Sequence, residues 1–113
     1  MIDSRTPDLV HNNLFRGRGT VSVWNCVPQK RVYPFSVVLW CSLSAQGIVG
    51  RHKQQAHHQV IVCISGKGEI RIQKRAIPFE KGASIAVAKG DVLSIHNLEE
   101  TELIYTITKV HAE

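Results

Sequence analysis

Three observations predict an all-β fold for this chain, a small antiparallel jelly-roll barrel. Apolar residues recur with a period of two in seven short stretches, at 20–26, 35–42, 58–64, 69–73, 84–87, 92–96 and 102–110. Turn-forming residues separate nearly all of them. No stretch of ten or more residues carries an apolar stripe at helical spacing. Many short strands joined by tight turns make an antiparallel sandwich or barrel, and 113 residues suffice for one such domain.

Residues 1–16 are polar and lack a clear period. They read as an N-terminal arm that packs on the barrel or on a second subunit, and the barrel domain spans 17–113. Thr20-Val21-Ser22-Val23-Trp24 alternates polar and apolar groups, as a half-buried strand does. Pro28-Gln29-Lys30 then turns the chain. The stretch 35–42 is rich in Val, Leu and aromatic residues and ends before Ala45-Gln46-Gly47. The run from Val60 to Ile64 is continuously apolar and rich in Val and Ile, as strands are. Ser65-Gly66-Lys67-Gly68 follows, and Glu69-Ile70-Arg71-Ile72-Gln73 alternates again. Glu80-Lys81-Gly82 and Lys89-Gly90-Asp91 bracket the strand 84–87. The strands 92–96 and 102–110 flank a turn at Asn97-Leu98-Glu99-Glu100.

Composition narrows the function. Fourteen Lys and Arg against nine Asp and Glu give a net charge of +5. The basic residues are scattered, and only Lys30-Arg31 and Lys74-Arg75 are adjacent pairs. No basic tail or recognition helix accompanies them, so nucleic acid is not the expected partner. Arg16-Gly17-Arg18-Gly19 is a single copy before a strand and reads as a turn. Apolar runs such as 60–64 fall far short of the ~20 residues that cross a bilayer as a helix, so no membrane partner is expected. The first residues have no apolar stretch behind a basic start. Cys26, Cys41 and Cys63 are odd in number and lie in apolar runs, as reduced core thiols do. The expectation is a cytoplasmic protein.

Four of six histidines, His52, His57, His58 and His96, fall in the middle and later part of the chain. Neutral imidazole offers a lone pair near pH 7 and is the commonest metal ligand. Gln54, Gln55 and Gln59 lie among the first three. The segment 50–66 resembles the first cupin motif: Gly, His-x-His, three or four residues, Glu, six residues, Gly. Gly50 and His52 match, Gln54 takes the second His position, Gln59 takes the Glu position, and Gly66 closes the gap of six. The second cupin motif is matched by Gly82, Gly90 and Asn97, with Ala88 for its Pro and Leu93 for its His. The two motifs span residues 50–97.

The resemblance implies a cupin barrel whose ligand sits in the barrel cavity, and an activity it does not specify. The implied ligand-binding set is His52, Gln54, His57, Gln59, Ile61 and Leu93, with Trp40 as a further wall. A metal set would draw on His52, His57, His58 and Gln59, holding one divalent Fe, Mn, Ni, Zn or Cu ion; otherwise no cofactor is implied. Leu93 cannot coordinate, so His57 or His96 would have to substitute. Period two puts His57, Ile61 and Cys63 on the face of Gln59 and His58 on the other, unless a bulge exchanges the two histidines. The bland readings are a hydrogen-bonded rim for His57 and His58, a surface or turn residue for His96, pocket lining for Gln54 and Gln59, and exposed termini for His11 and His111. Three functions stand: a small-molecule-binding module, a metal-dependent dioxygenase or isomerase with a reduced His/Gln site, and a metal-free enzyme with His52 as catalytic base. The third is of sugar-isomerase type; residues 52–66 are similar to the matching strand of the nucleotide-sugar ketoisomerases in the cupin superfamily, with Gln54 for the second His of their pair, and that similarity bears on the barrel rather than on the substrate. Small cupins pair, so a homodimer is expected, with 1–16 and 20–26 as contributors.

Overall fold

The computed structural model describes residues 2–27 and 32–112. The turn expected at Pro28-Gln29-Lys30 lies outside them. Among the described residues ten strands form two antiparallel sheets. The strands are β1 (Leu9–Asn12), β2 (Thr20–Asn25), β3 (Phe35–Leu43), β4 (Ile48–Lys53), β5 (His57–Ser65), β6 (Lys67–Ile72), β7 (Arg75–Glu80), β8 (Ser84–Val87), β9 (Val92–Asn97) and β10 (Leu103–His111). The six-stranded sheet runs β1-β2-β3-β10-β5-β8 and the four-stranded sheet β4-β9-β6-β7. The two face each other as an all-β jelly roll. Among the described residues no helix is long and apolar enough to cross a membrane.

The seven expected strands are all present, and three more join them. Strand β1 makes residues 9–12 part of the larger sheet, paired with β2. The stretch before residue 17 is therefore woven into the barrel, with short 3-10 turns at Ile2–Ser4 and Leu14–Arg16 on either side of β1. Strand β4 hides its period because Gly50 and Arg51 sit at a register shift between Val49 and His52. Strand β7 contains Pro78, tolerated because β7 is an edge with β6 on one side only.

Alternation sorts the side chains as the pattern demands. Val21, Val23, Cys41, Leu43, Ile61, Cys63, Ile85, Val87, Leu103 and Tyr105 from one sheet meet Val49, Ile70, Phe79, Leu93 and Ile95 from the other in one buried core. Phe79 and Tyr105 meet edge to face, with centroids 6.1 Å apart. The outward Trp24 and Trp40 are held by the N-terminal segment. Trp24 Nε1 donates to the Arg5 carbonyl at 2.7 Å, and Trp40 Nε1 to Asp3 Oδ2 at 3.3 Å. Trp40 is thus a residue of the outer face, and the cavity wall expected of it is supplied by its neighbours Leu39 and Cys41.

Candidate functional site

Between the sheets lies a cavity of about 760 Å³. Its walls are apolar: Val21 and Val23 on β2, Leu39 on β3, Val49 on β4, Leu93 and Ile95 on β9, and Ile107 on β10. Polar side chains join them from several strands. They include His11 on β1, His52 and Lys53 on β4, His57 and Gln59 on β5, Lys109 on β10, and Gln54 and Gln55 from the β4–β5 connection. No Asp or Glu lines the cavity among the described residues.

Each position has a local cause. Gln54 donates its backbone N–H to the Asp91 carbonyl at 2.8 Å and accepts the Gly90 N–H at 2.7 Å, so the β8–β9 turn pins it. Gln59 is 5% exposed and shares the inward face of β5 with His57, Ile61 and Cys63. The pairing of His57, His58 and Gln59 with β10 runs without a bulge. His52 is covered by the turn Leu14–Arg16, whose Leu14 and Phe15 also line the cavity. The Phe15 ring stacks on its imidazole at 3.9 Å, with planes 11° apart. That turn puts Asn13, Phe15 and Arg16 at φ of 55°, 53° and 60°, the left-handed region that costs roughly 1–2 kcal/mol for an L-residue. Leu14 packs against the core and the Gly17 N–H bonds to the Leu14 carbonyl, which holds the strained turn in place.

Five of the six ligand-set residues, His52, Gln54, His57, Gln59 and Leu93, line this one cavity. Ile61 does not. It is fully buried between Ile107 and Ile85 in the packed core beneath. His58 also falls outside, because its parity sends it to the opposite face of β5. There its Nδ1 accepts the Lys89 backbone N–H at 3.0 Å. His96 faces away on the outside of the four-stranded sheet, with Nε2 3.1 Å from Ser94 Oγ. It is a mid-strand residue rather than a turn. His11 lines the cavity, contrary to the exposed terminus expected of it, because β1 belongs to the sheet. His111 is exposed, stacked on Tyr33 and tilted against His57. Sequence reasoning missed Lys109 and Phe15 altogether. Lys109 had a signal: it continues the inward parity of Tyr105 and Ile107.

The site is electropositive. Burial, then Lys109, depresses His52, although its bond to the Gly50 carbonyl opposes this. Burial, then Lys109 and His111, depresses His57. Burial pushes the Cys41 thiol up to about 12, so it is a neutral wall residue and no nucleophile. The histidine shifts predict a pH dependence. A His lowered below its ordinary 6.5 binds fewer protons folded than unfolded, so stability rises with pH through that range. The urea midpoint is expected to fall as pH drops from 7 toward 5. A midpoint that rises over the same interval would contradict the depressed histidines.

No protein-family model matches the chain, and no curated protein sequence matches it. Solved structures do. A predicted oxalate decarboxylase from Thermotoga maritima superposes with a TM-score of 0.89 at 18% identity, covering 99% of this chain and 97% of that one. The cupin domain of Schizosaccharomyces pombe Cnp3 gives 0.75 at 12%, covering 92% and 69%. A Cupin 2 conserved barrel domain protein from Salinispora arenicola gives 0.71 at 17%, covering 81% and 76%. The chain has the cupin fold.

In a cupin barrel the motif residues converge on a metal ion, so the donor set here can be tested against one. At the position of the motif's later His, Leu93 is 1% exposed and registers directly opposite His52. Its side chain places hydrocarbon there. Gln54 and Gln59 are neutral amides, weaker ligands than the His and Glu whose positions they take. Lys109 adds a positive charge that His52 and His57 both feel. Among the described residues no three His, Cys, Asp or Glu side chains gather to hold a metal ion. The residues of this cavity do not fit a divalent cation.

Proposed function

We propose that this cupin barrel binds a small organic molecule in its cavity without a metal ion. The observation that carries the reading is the single lining of the cavity: apolar walls with a few convergent polar groups, and no anionic donor. At about 760 Å³ it lies within the roughly 300–1,000 Å³ of ordinary small-molecule sites. Leu93 and its neighbours take the ligand's apolar body, and His52, Gln54, His57 and Gln59 orient its polar end. Octanol, a neutral amphiphile, is the probe. Saturable calorimetric binding is expected to survive dialysis against chelator and to vanish in Leu39→Trp, which fills the wall. Binding that needs added metal, or no binding to the folded wild type, would overturn the reading.

One observation favours a second activity, metal-free base catalysis by His52. Its Nδ1 lies 2.8 Å from the Gly50 carbonyl, which can only accept, so Nδ1 carries the proton. Nε2 then keeps its lone pair, the form a general base needs. Nitrogen-15 shifts at pH 7.5 are expected to show the Nδ1–H tautomer for His52. An Nε2–H tautomer would remove this reading.

We infer that the chain forms a homodimer. Strand β2 is interior and its Trp24 is covered by residues 2–8, so 20–26 does not offer a free surface. The outward positions of β10, β5 and β8 do. They include Ile104, Thr106, Val60, Val62 and Ile64, and none of them is Lys, Arg, Asp or Glu. An uncharged sheet face is complementary to its own copy about a two-fold axis. Light scattering is expected to give a dimer, and Val60→Lys with Thr106→Lys a folded monomer. A monomeric wild type would contradict the pairing. The three cysteines are free, which fits a reducing compartment such as the cytoplasm.

A further inference from the structure

Lys109 is the feature of the cavity that neither the motifs nor the metal-free reading uses. Its inward direction is fixed by register. On β10 it follows Tyr105 and Ile107 at intervals of two, and it pairs with the buried Gln59 on β5. Its charge acts on groups from three other strands: Cys41 on β3, His52 on β4 and His57 on β5. Lys109 also lines the cavity between the sheets. Among the described residues the ion pairs are Arg5–Asp8 and Arg71–Glu69, so no described carboxylate pairs with Lys109.

A half-buried cation without a counter-ion is an expensive arrangement in an apolar cavity, unless something anionic arrives to complete it. The described groups around it do not supply the anion, because no Asp or Glu lines the cavity among the described residues. They also limit how much negative charge is welcome. Burial and Lys109 both disfavour the charged forms of His52 and His57, so Lys109 is the inner cationic side chain of the cavity. The amides of Gln54 and Gln59 can donate further hydrogen bonds. Lys53 also lines the cavity, but it is exposed, where its charge is screened. His11 and Gln55 add further polar groups, and Leu39, Val49, Leu93 and Ile107 form hydrocarbon walls.

We propose that the ligand of this cavity is an organic monocarboxylate with an apolar body, its carboxylate paired with Lys109. This rests on the small-molecule reading above and goes further by naming the class. The charged group sits beside Gln59 and His57, and the apolar body extends along Leu39, Val49, Leu93 and Ile107.

Calorimetry with three probes of one chain length separates the outcomes: octanoate, octanol and octyl phosphate. Octanoate is expected to bind at least about tenfold more tightly than octanol at pH 7.5, a difference of about 1.4 kcal/mol. Octyl phosphate should bind more weakly than octanoate, since its second charge has no partner. Lys109→Met keeps the apolar stem and should erase the octanoate preference while leaving octanol binding in place. Lys109→Arg should restore the preference in part, and Lys81→Met, outside the cavity, should leave it unchanged. Retained octanol binding shows that Lys109→Met is folded. Equal binding of octanoate and octanol, or a preference that survives Lys109→Met, overturns the carboxylate and leaves the small-molecule reading standing. A preference for octyl phosphate overturns the single charge. Binding of none of the probes overturns both.

Discussion

Replacing Asn97 by Ala is expected to cost about 3–5 kcal/mol, a large part of the stability of a domain of this size. Asn97 is 3% exposed at the end of β9. Its Nδ2 faces the carbonyls of Leu43, Ser44 and Thr101 at 3.2, 2.9 and 2.8 Å, and its Oδ1 accepts the Glu99 N–H at 3.0 Å. An amide nitrogen has two hydrogens, so one of them is shared between two of the three acceptors. One side chain thus ties the end of β3 to the turn between β9 and β10. Alanine leaves these backbone groups without a partner. Asn97→Asp is expected to be nearly as damaging, because it sets a carboxylate oxygen against three carbonyl oxygens. Urea denaturation measures both. A loss under about 1 kcal/mol for the alanine variant would mean that water or relaxation replaces the network.

The second large effect is at Gly50. A Cβ there would collide with the Phe15 carbonyl oxygen, and one at Gly17 with the Ile48 carbonyl. The turn Leu14–Arg16 crosses β4 backbone to backbone at these two glycines. Gly50→Ala therefore has to lift the turn, at a cost of about 1–3 kcal/mol. Lifting it also removes Phe15 from His52. Burial is the main cause of the lowered His52 pKa, so exposing the ring should raise it toward 6.5. Denaturation and a proton NMR titration of His52 read the two effects together. Unchanged stability with an unchanged titration would show that the turn is not seated on Gly50.

The fold was legible because its strands announce themselves by alternation. Thr20 to Trp24 and Glu69 to Gln73 show it plainly, and the Gly66, Gly82 and Gly90 turns, at φ of 100°, 88° and 97°, fall where glycine is needed. The missed strands are those where something interrupts the period: a bulge at Gly50 and Arg51, Pro78 on an edge, and only four residues in β1. The site was legible wherever parity could be counted from a fixed point, as for His57 against His58. Parity alone overreached at Ile61, because an inward side chain can meet either the cavity or the packed core. Lys109 and His11 escaped because a basic residue on a strand near a terminus reads as solvated. Only the register of β10 and the presence of β1 turn them inward. Phe15 and its left-handed turn carry no sequence signal, since φ above zero is set there by packing rather than by glycine.

The central claim is that the barrel cavity is an organic-molecule site that holds no metal. Elemental mass spectrometry of untagged protein, purified without chelator, tests it most directly. Less than about a tenth of an equivalent of iron, manganese, nickel, zinc or copper per chain is expected, unchanged after soaking with metal and removal of excess. About one equivalent of any of them, lost in His52→Ala, would show that His52 and the two glutamines hold a cation beside Leu93, and would contradict the account.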